Sequence, residues 1–312
     1  MENTTEVTQF ILLGLTKVTS LRIPLVMILT LIYGINVIGN LGMILLILLD
    51  SRLHTPMYFF LSNLSLMDFC YSTAVTPTVI AGLFIGDKLI SYNACAAQMF
   101  FFAAFVAGEV FILAAMAYDR YAAVCKPLHY TTIMTTGVCA SLAIACYAAG
   151  FLNASIQVGE AFSGTFCSSN VVHHFFCDVP AVMSLSCSDK HFNEMVLLYL
   201  DTFIVFSSLS VIFVSYIFIF ITILKMRSSA GYQKAVSTCA SHVTAISIFF
   251  GTLMFMYLQP SSSHSMDTDK KASVFYTMVI PMLNPIVYSL RNKEVKNAIK
   301  KVGEKIKISL RL

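Results

Sequence analysis

The chain has 312 residues, 57% of them hydrophobic and 12% charged, with a mean hydropathy of +0.78 and a formal net charge of +4. Soluble domains carry roughly 25% charged residues, so this composition excludes an ordinary soluble globular protein and points to a polytopic membrane protein. A lipid bilayer is the expected environment, and no nucleic-acid partner is expected.

Met1 to Thr8 is polar and acidic, without a basic segment before an apolar core. No cleavable signal peptide is read there, and the first span is expected to act as the insertion signal. Seven apolar runs of bilayer length follow. Ile23–Leu49 holds no charge, Met57–Ile85 only Asp68, and Leu89–Tyr118 only Glu109. Thr136–Phe162 holds only Glu160, Met195–Leu224 only Asp201, and Ala235–Leu258 and Ala272–Leu290 none. About 20 apolar residues cross the hydrocarbon as a helix. The expected fold is therefore an all-α membrane protein, a seven-transmembrane helix bundle over 23–290.

The basic residues orient it. Arg52, Arg120, Lys126, Lys225, Arg227, Lys234 and the eight that follow Leu290 share one side; Lys17, Arg22, Lys88, Lys190, Lys270 and Lys271 share the other. The positive-inside bias puts residues 1–22 outside and the 291–312 tail in the cytoplasm. In the tail, Val295, Ile299, Val302 and Ile306 recur at helical spacing among lysines, which predicts an amphipathic helix on the inner leaflet. The sequon Asn3-Thr4-Thr5 falls outside and predicts glycosylation at Asn3. Sequon matches at Asn63 and Asn153 lie within spans and read as chance.

Four of the nine cysteines, Cys95, Cys167, Cys177 and Cys187, face the oxidising side. Their spacing matches no zinc motif, so disulfides are expected, in any of three pairings. The other five read as small apolar residues or reduced thiols. Charges at membrane depth are expensive and mark function. Asp68 and Glu109 each sit near the middle of a span. Facing each other, they need a proton or a hard cation such as sodium between them; separate hydrogen-bonded acids are the plainer alternative. Asp201 lies nearer the outer end of its span, either wet or lining a cavity. Pro77, Pro281 and Pro285 free backbone groups inside spans, and Asn284 and Tyr288 lie one turn apart beside the last of these.

Asn40, Asp68, Asp119-Arg120-Tyr121 and Asn284-Pro285-Ile286-Val287-Tyr288 together resemble the rhodopsin-like class of G-protein-coupled receptors. Finer motifs resemble odorant receptors: Leu53-His54-Thr55-Pro56-Met57-Tyr58-Phe59-Phe60-Leu61, Met116-Ala117-Tyr118-Asp119-Arg120-Tyr121, Lys234-Ala235-Val236-Ser237-Thr238-Cys239-Ala240-Ser241-His242, and Pro281-Met282-Leu283-Asn284-Pro285 running on to Asn292. They occur in family order at the cytoplasmic junctions, and the resemblance spans about Leu12 to Lys300.

The resemblance implies a plasma-membrane receptor for a small volatile odorant that signals through a stimulatory heterotrimeric G protein and cyclic AMP. Arg120 would be held by Asp119 at rest and released on activation, with Tyr216 and Tyr288 as its later partners. Asp68 and Glu109 would form a sodium site, and Cys95 would pair with Cys177 and Cys167 with Cys187. The ligand pocket would take Phe102, Ala103, Val106 and Ala107 from the third span, and Leu200, Asp201 and Ile204 from the fifth. Phe250, Leu253, Met254 and Tyr257 of the sixth, and Val274 and Thr277 of the seventh, would complete it. Two departures stand out: Phe249-Phe250-Gly251 replaces the family's Phe-Tyr-Gly, and Ala122-Ala123-Val124-Cys125-Lys126 replaces Val-Ala-Ile-Cys-Asn. A transporter built on Asp68 and Glu109 is the competing reading, but the chain has no inverted repeat. An enzyme finds no nucleophile motif, and His173, His174 and His191 lack metal spacing.

Overall fold

The computed structural model describes residues 7–16, 18–86, 88–166, 169–189, 191–226, 228–257, 270 and 272–309. Its long helices are α1 (Thr19–Leu49), α2 (Pro56–Ile85), α3 (Tyr92–Cys125), α4 (Thr136–Phe162), α5 (His191–Leu224), α6 (Ser229–Tyr257), α7 (Ile280–Arg291) and α8 (Lys293–Ser309). The first five, and the segment Ala272–Leu290 that contains most of α7, are long and apolar enough to cross a bilayer. In α6 the apolar part is Cys239–Met254. The expected span ran from Ala235 to Leu258, and Leu258 lies outside the described residues.

Helix α3 is the axis of the bundle. In its apolar window 67% of residues are buried, against 28% in α1 and in α5, which turn Leu, Ile and Phe side chains outward. Small residues allow the closest approach to it. A Cβ at Gly150 of α4 would collide with the Ala104 carbonyl oxygen and meet the Gly108 amide nitrogen at 3.0 Å, so glycine is the residue that lets α4 lie directly on α3.

The last span is irregular for a local reason. Pro281 and Pro285 donate no backbone hydrogen bonds, and a π turn, Phe275–Val279, leads into α7. The carbonyl of Pro281, which Pro285 leaves without its helical donor, accepts from Asn40 Nδ2 of α1 at 2.9 Å. Asn40 thereby ties α1 to the proline-broken segment.

The outer face carries a small three-stranded sheet that hydropathy gave no sign of. Strand β1 (Gln9–Leu12) pairs antiparallel with β2 (Lys88–Ser91) and parallel with β3 (Val171–Val172). The disulfide Cys95–Cys177 joins the start of α3 to the loop after β3, with Cα atoms 5.5 Å apart. Gln98 secures the same junction: its Oε1 accepts from the Cys177 amide at 2.9 Å, and its Nε2 donates to the Ala74 carbonyl at 2.9 Å. The expected Cys167–Cys187 pairing and the Asn3 sequon fall on Cys167 and Asn3, outside the described residues.

At the cytoplasmic end α8 docks on the bundle itself. Val295 and Ala298 are buried in the main core cluster while Ile299 points outward. The expected apolar stripe is thus divided, Val295 facing the bundle and Ile299 exposed. Asn292 Oδ1 caps α8, accepting from the Glu294 amide at 3.0 Å, and also accepts from the Tyr58 hydroxyl of α2 at 3.1 Å.

Candidate functional site

Three clusters, two polar and one aromatic, lie along the bundle. At the cytoplasmic end of α3, Asp119 Oδ2 accepts from Arg120 Nη2 at 2.5 Å and from Nε at 3.1 Å. Its other oxygen accepts from the Tyr130 hydroxyl at 2.7 Å. Tyr130 opens the short helix Tyr130–Ile133 in the second cytoplasmic loop. Burial, reinforced by the Asp119 carboxylate, holds its phenol above the ordinary range. Asp119 is fully buried and Arg120 nearly so. A buried ion pair persists only when its remaining lone pairs are satisfied, and Tyr130 supplies that third bond. Arg120 is thereby held against its own helix.

Among the described residues, the hydrogen bonds of Arg120 go to Asp119 and not to Tyr216 or Tyr288. The Tyr216 hydroxyl lies 2.8 Å from His242 Nδ1, bridging α5 and α6. The Tyr288 hydroxyl is buried with no hydrogen-bond partner among the described residues. A nearby section of α3 is tied to α5 by Cys125 Sγ and Thr222 Oγ1, 3.2 Å apart.

At mid-bundle, Asn284 Nδ2 lies 3.0 and 3.2 Å from the two Asp68 oxygens and 3.2 Å from Glu109 Oε1. Tyr71 donates to Asp68 Oδ1 at 3.2 Å. Both carboxylates are fully buried, and Glu109 Oε2 has no hydrogen-bond partner among the described residues. The structure therefore brings together Asp68, Glu109 and Asn284, from α2, α3 and α7, around one buried oxygen left unsatisfied.

In the outer half Phe102 is the hub. Its ring meets Tyr71 and Phe176 edge to face, at centroid distances of 6.1 and 5.3 Å, and Tyr276 at 5.9 Å. Val106 and Val274 pack into the same apolar cluster. Ile204 and Phe250, with Leu200 and Leu253 against them, belong to the neighbouring cluster, and Phe105 and Tyr276 touch both. Asp201 Oδ1 accepts from Gln157 Nε2 of α4 at 2.8 Å. The loop after β3 closes the outer end: Phe175 and Phe176 pack inward, and His174 Nε2 lies 3.2 Å from Ser273 Oγ at the head of the seventh span.

A family model described as olfactory receptor matches residues 29–305. The chain belongs to the olfactory receptor family. It is similar to human olfactory receptor 5B3, 69% identical over 99% of both chains. It is also similar to mouse olfactory receptor 5B21, 60% identical over 97% of this chain and 95% of the relative. Its fold is that of squid rhodopsin, with a TM-score of 0.72 at 17% identity over 93% of this chain and 87% of the other. Olfactory receptors are multi-pass G-protein-coupled receptors of the plasma membrane, not enzymes, and act through a small-molecule ligand and a G protein.

In this olfactory receptor the expected pocket residues do not all share one cluster. Met254 is 53% exposed and points out of the bundle. Ala103 packs with Ala104 and Ala154 against α4, away from Phe102. Ala107 and Thr277 are buried, and the Thr277 hydroxyl donates to the Ser273 carbonyl of its own segment at 2.6 Å. The Tyr257 side chain lies outside the described residues. Sequence reasoning missed Tyr276, Phe105 and Phe176 beside Phe102, Gln157 beside Asp201, and His242 beside Tyr216. His242 carried a signal: a histidine within an otherwise apolar span needs a partner. The aromatic residues carried none, since Phe and Tyr occur throughout these spans.

Proposed function

We propose that this olfactory receptor binds small, mostly apolar volatile molecules in the outer half of the bundle and activates a stimulatory, olfactory-type G protein, raising cyclic AMP. The expected site of action is the cilia of olfactory sensory neurons. The observation that carries the reading is the Asp119 clamp, which holds Arg120 folded back on α3 by two hydrogen bonds. Such a clamp is a two-state element, and a ligand shifts it only by binding one state more tightly than the other. Support for the ligand class comes from the rings around Phe102. They offer apolar burial, worth about 25 cal/mol per Å², with the Asp201–Gln157 pair between α4 and α5 and the Thr277 hydroxyl as candidate polar groups.

Within the same reading, Asp68 and Glu109 would hold a sodium ion. Their oxygens are hard donors suited to a small hard cation, and the unsatisfied Glu109 Oε2 fits such an ion. The ion would favour the resting packing by joining α2, α3 and α7.

The test is cyclic AMP in cells expressing the chain with the olfactory G protein, against a broad panel of volatile compounds. A dose-dependent rise that Arg120→Ala abolishes at equal surface expression is the expected result. A response that survives Arg120→Ala removes the proposed switch. In the same assay Glu109→Gln is expected to abolish any sodium dependence of the response, and an unchanged dependence removes the ion from Glu109.

A further inference from the structure

Away from all three clusters, the outer ends of α1 and α2 and the chain leaving β1 enclose a cavity of about 290 Å³. Leu13 and Gly14 wall it on one side, Arg22 of α1 on another, and Gly82 and Leu83 of α2 on the third. This volume lies near the lower end of small-molecule sites, which run from about 300 to 1,000 Å³.

The space is open because of a residue that packing does not require to be small. A Cβ at Gly82 would meet only the Lys88 Cβ, at the ordinary distance of 3.9 Å. Gly86, at φ +97°, turns the chain beneath the Arg22 guanidinium, whose two terminal nitrogens lie 3.6 and 3.9 Å from the position of a Cβ there. At φ > 0 the backbone favours glycine, so this seat under the guanidinium is built into the turn.

Among the described residues, the charges around the mouth are positive. Arg22 is half-buried, and the two ion pairs among the described residues, Asp50–Arg52 and Asp119–Arg120, do not include it. The Lys88 Cβ lies 3.9 Å from where a Gly82 Cβ would stand, and Lys270 Nζ lies 3.5 Å from the Gly14 carbonyl on the cavity wall. The N-terminal turn of α1, which carries Arg22, contains no acidic residue, and the positive end of the helix dipole adds to the field. The floor, by contrast, is apolar. Leu83 belongs to the cluster that runs through Val79 and Val75 to Phe102 and Phe176. A cationic mouth above an apolar floor fits a molecule with an anionic head and a short alkyl chain.

We infer that this cavity is a second, outer binding site for a small monocarboxylate amphiphile, its carboxylate on Arg22 and its chain against Leu83. Arg presents a planar fork that matches a carboxylate with two parallel hydrogen bonds. An anionic phospholipid headgroup offers related chemistry from the membrane side, and the test separates the two sources.

The full chain, purified into nanodiscs of phosphatidylcholine alone, is titrated calorimetrically with octanoate and, separately, with octanol. Octanoate is expected to bind the unmodified chain, and Arg22→Gln to weaken it at least about tenfold, as loss of a charge-assisted hydrogen bond implies. Octanol affinity is expected to be unchanged by Arg22→Gln. Gly82→Leu, which fills the cavity, is expected to abolish octanoate binding. Circular-dichroism melts check that each variant folds. Arg22→Lys, which keeps the charge without the fork, serves if Arg22→Gln does not, with an affinity between the other two.

Equal octanoate affinity in the unmodified chain and either Arg22 variant, or no octanoate binding by the folded chain in neutral discs, overturns the inference. A further titration in discs containing phosphatidylglycerol decides the source. Unchanged octanoate affinity assigns the site to free carboxylates, and competitive weakening assigns it to the lipid headgroup. No G protein enters these measurements, so their failure is distinct from failure of the signalling reading.

Discussion

The hydroxyl of Tyr216 and Nδ1 of His242 lie 2.8 Å apart, joining α5 to α6 one layer above the cytoplasmic surface. The Tyr216 hydroxyl is thereby engaged by His242 rather than by Arg120. His242 is fully buried and Tyr216 partly so, and a buried polar group loses heavily if its partner is removed. Opening the cytoplasmic end of the bundle requires α6 to move relative to its neighbours, and the pair opposes that movement.

Replacing His242 with leucine removes this tie while keeping an apolar side chain of similar length. A typical intramolecular hydrogen bond contributes about 1 kcal/mol, so the open population is expected to rise roughly fivefold. Ligand-independent cyclic AMP at matched surface expression measures it. A fall in basal output would place the Tyr216–His242 bond in the active state.

Tyr130 acts on the same equilibrium from the second cytoplasmic loop. Its hydroxyl satisfies the Asp119 oxygen that Arg120 leaves free. Tyr130→Phe is expected to weaken the clamp by about 1–2 kcal/mol, since the acceptor is charged, and so to raise basal signalling several-fold. Arg120→Ala combined with Tyr130→Phe is expected to remain silent, because Arg120 is the group released. Basal signalling in the double variant would show that Tyr130 acts by another route.

The helical bundle and the motif-bearing residues were legible because lipid imposes length and polarity on every span. Asp68, Glu109 and Asn284 could be singled out for that reason, and they meet as a cluster. The outer sheet was not legible: Gln9–Leu12 is four residues long, and its pairing with Lys88–Ser91 and Val171–Val172 depends on chain segments brought together by the bundle. The expected pocket residues divide among separate clusters for a related cause. Ala103 lies one position from Phe102, yet that single step of about 100° on the helix turns it from the aromatic cluster to α4. Facing is set by packing, which an almost uniformly apolar span does not encode in its own pattern.

Gly150 tests that packing directly. Gly150→Val places a branched side chain where the Ala104 carbonyl already lies. Backbone cannot yield as a flexible side chain does, and overpacking of this kind costs about 1–3 kcal/mol or more. Surface expression is expected to fall sharply, whereas Gly42→Ala, whose Cβ would meet nothing within 4 Å, is expected to be tolerated. Equal expression of the two variants would contradict the close approach of α3 and α4.

The outer lid gives a pH prediction. His174 is buried against Phe175 and Phe176, and burial, helped by the charge of Lys270, pushes its imidazole down from 6.5 to about 4. The folded lid therefore favours neutral His174. Its contribution is fully present above pH 6.5 and is lost as pH falls toward 4, amounting to about 3 kcal/mol if the whole shift is realised. Asp178 acts in the opposite sense: burial pushes its carboxyl up to about 6. Its burial penalty is therefore relieved as pH falls through 6 toward the ordinary carboxylate value. The two effects overlap, so the informative quantity is the difference between the unmodified chain and His174→Gln. Gln cannot titrate but can still hydrogen-bond Ser273. Thermal unfolding of the purified receptor is expected to show a larger drop in stability between pH 6.5 and 4.5 for the unmodified chain than for His174→Gln. Parallel pH profiles for the two proteins would mean that His174 becomes charged without disturbing the lid.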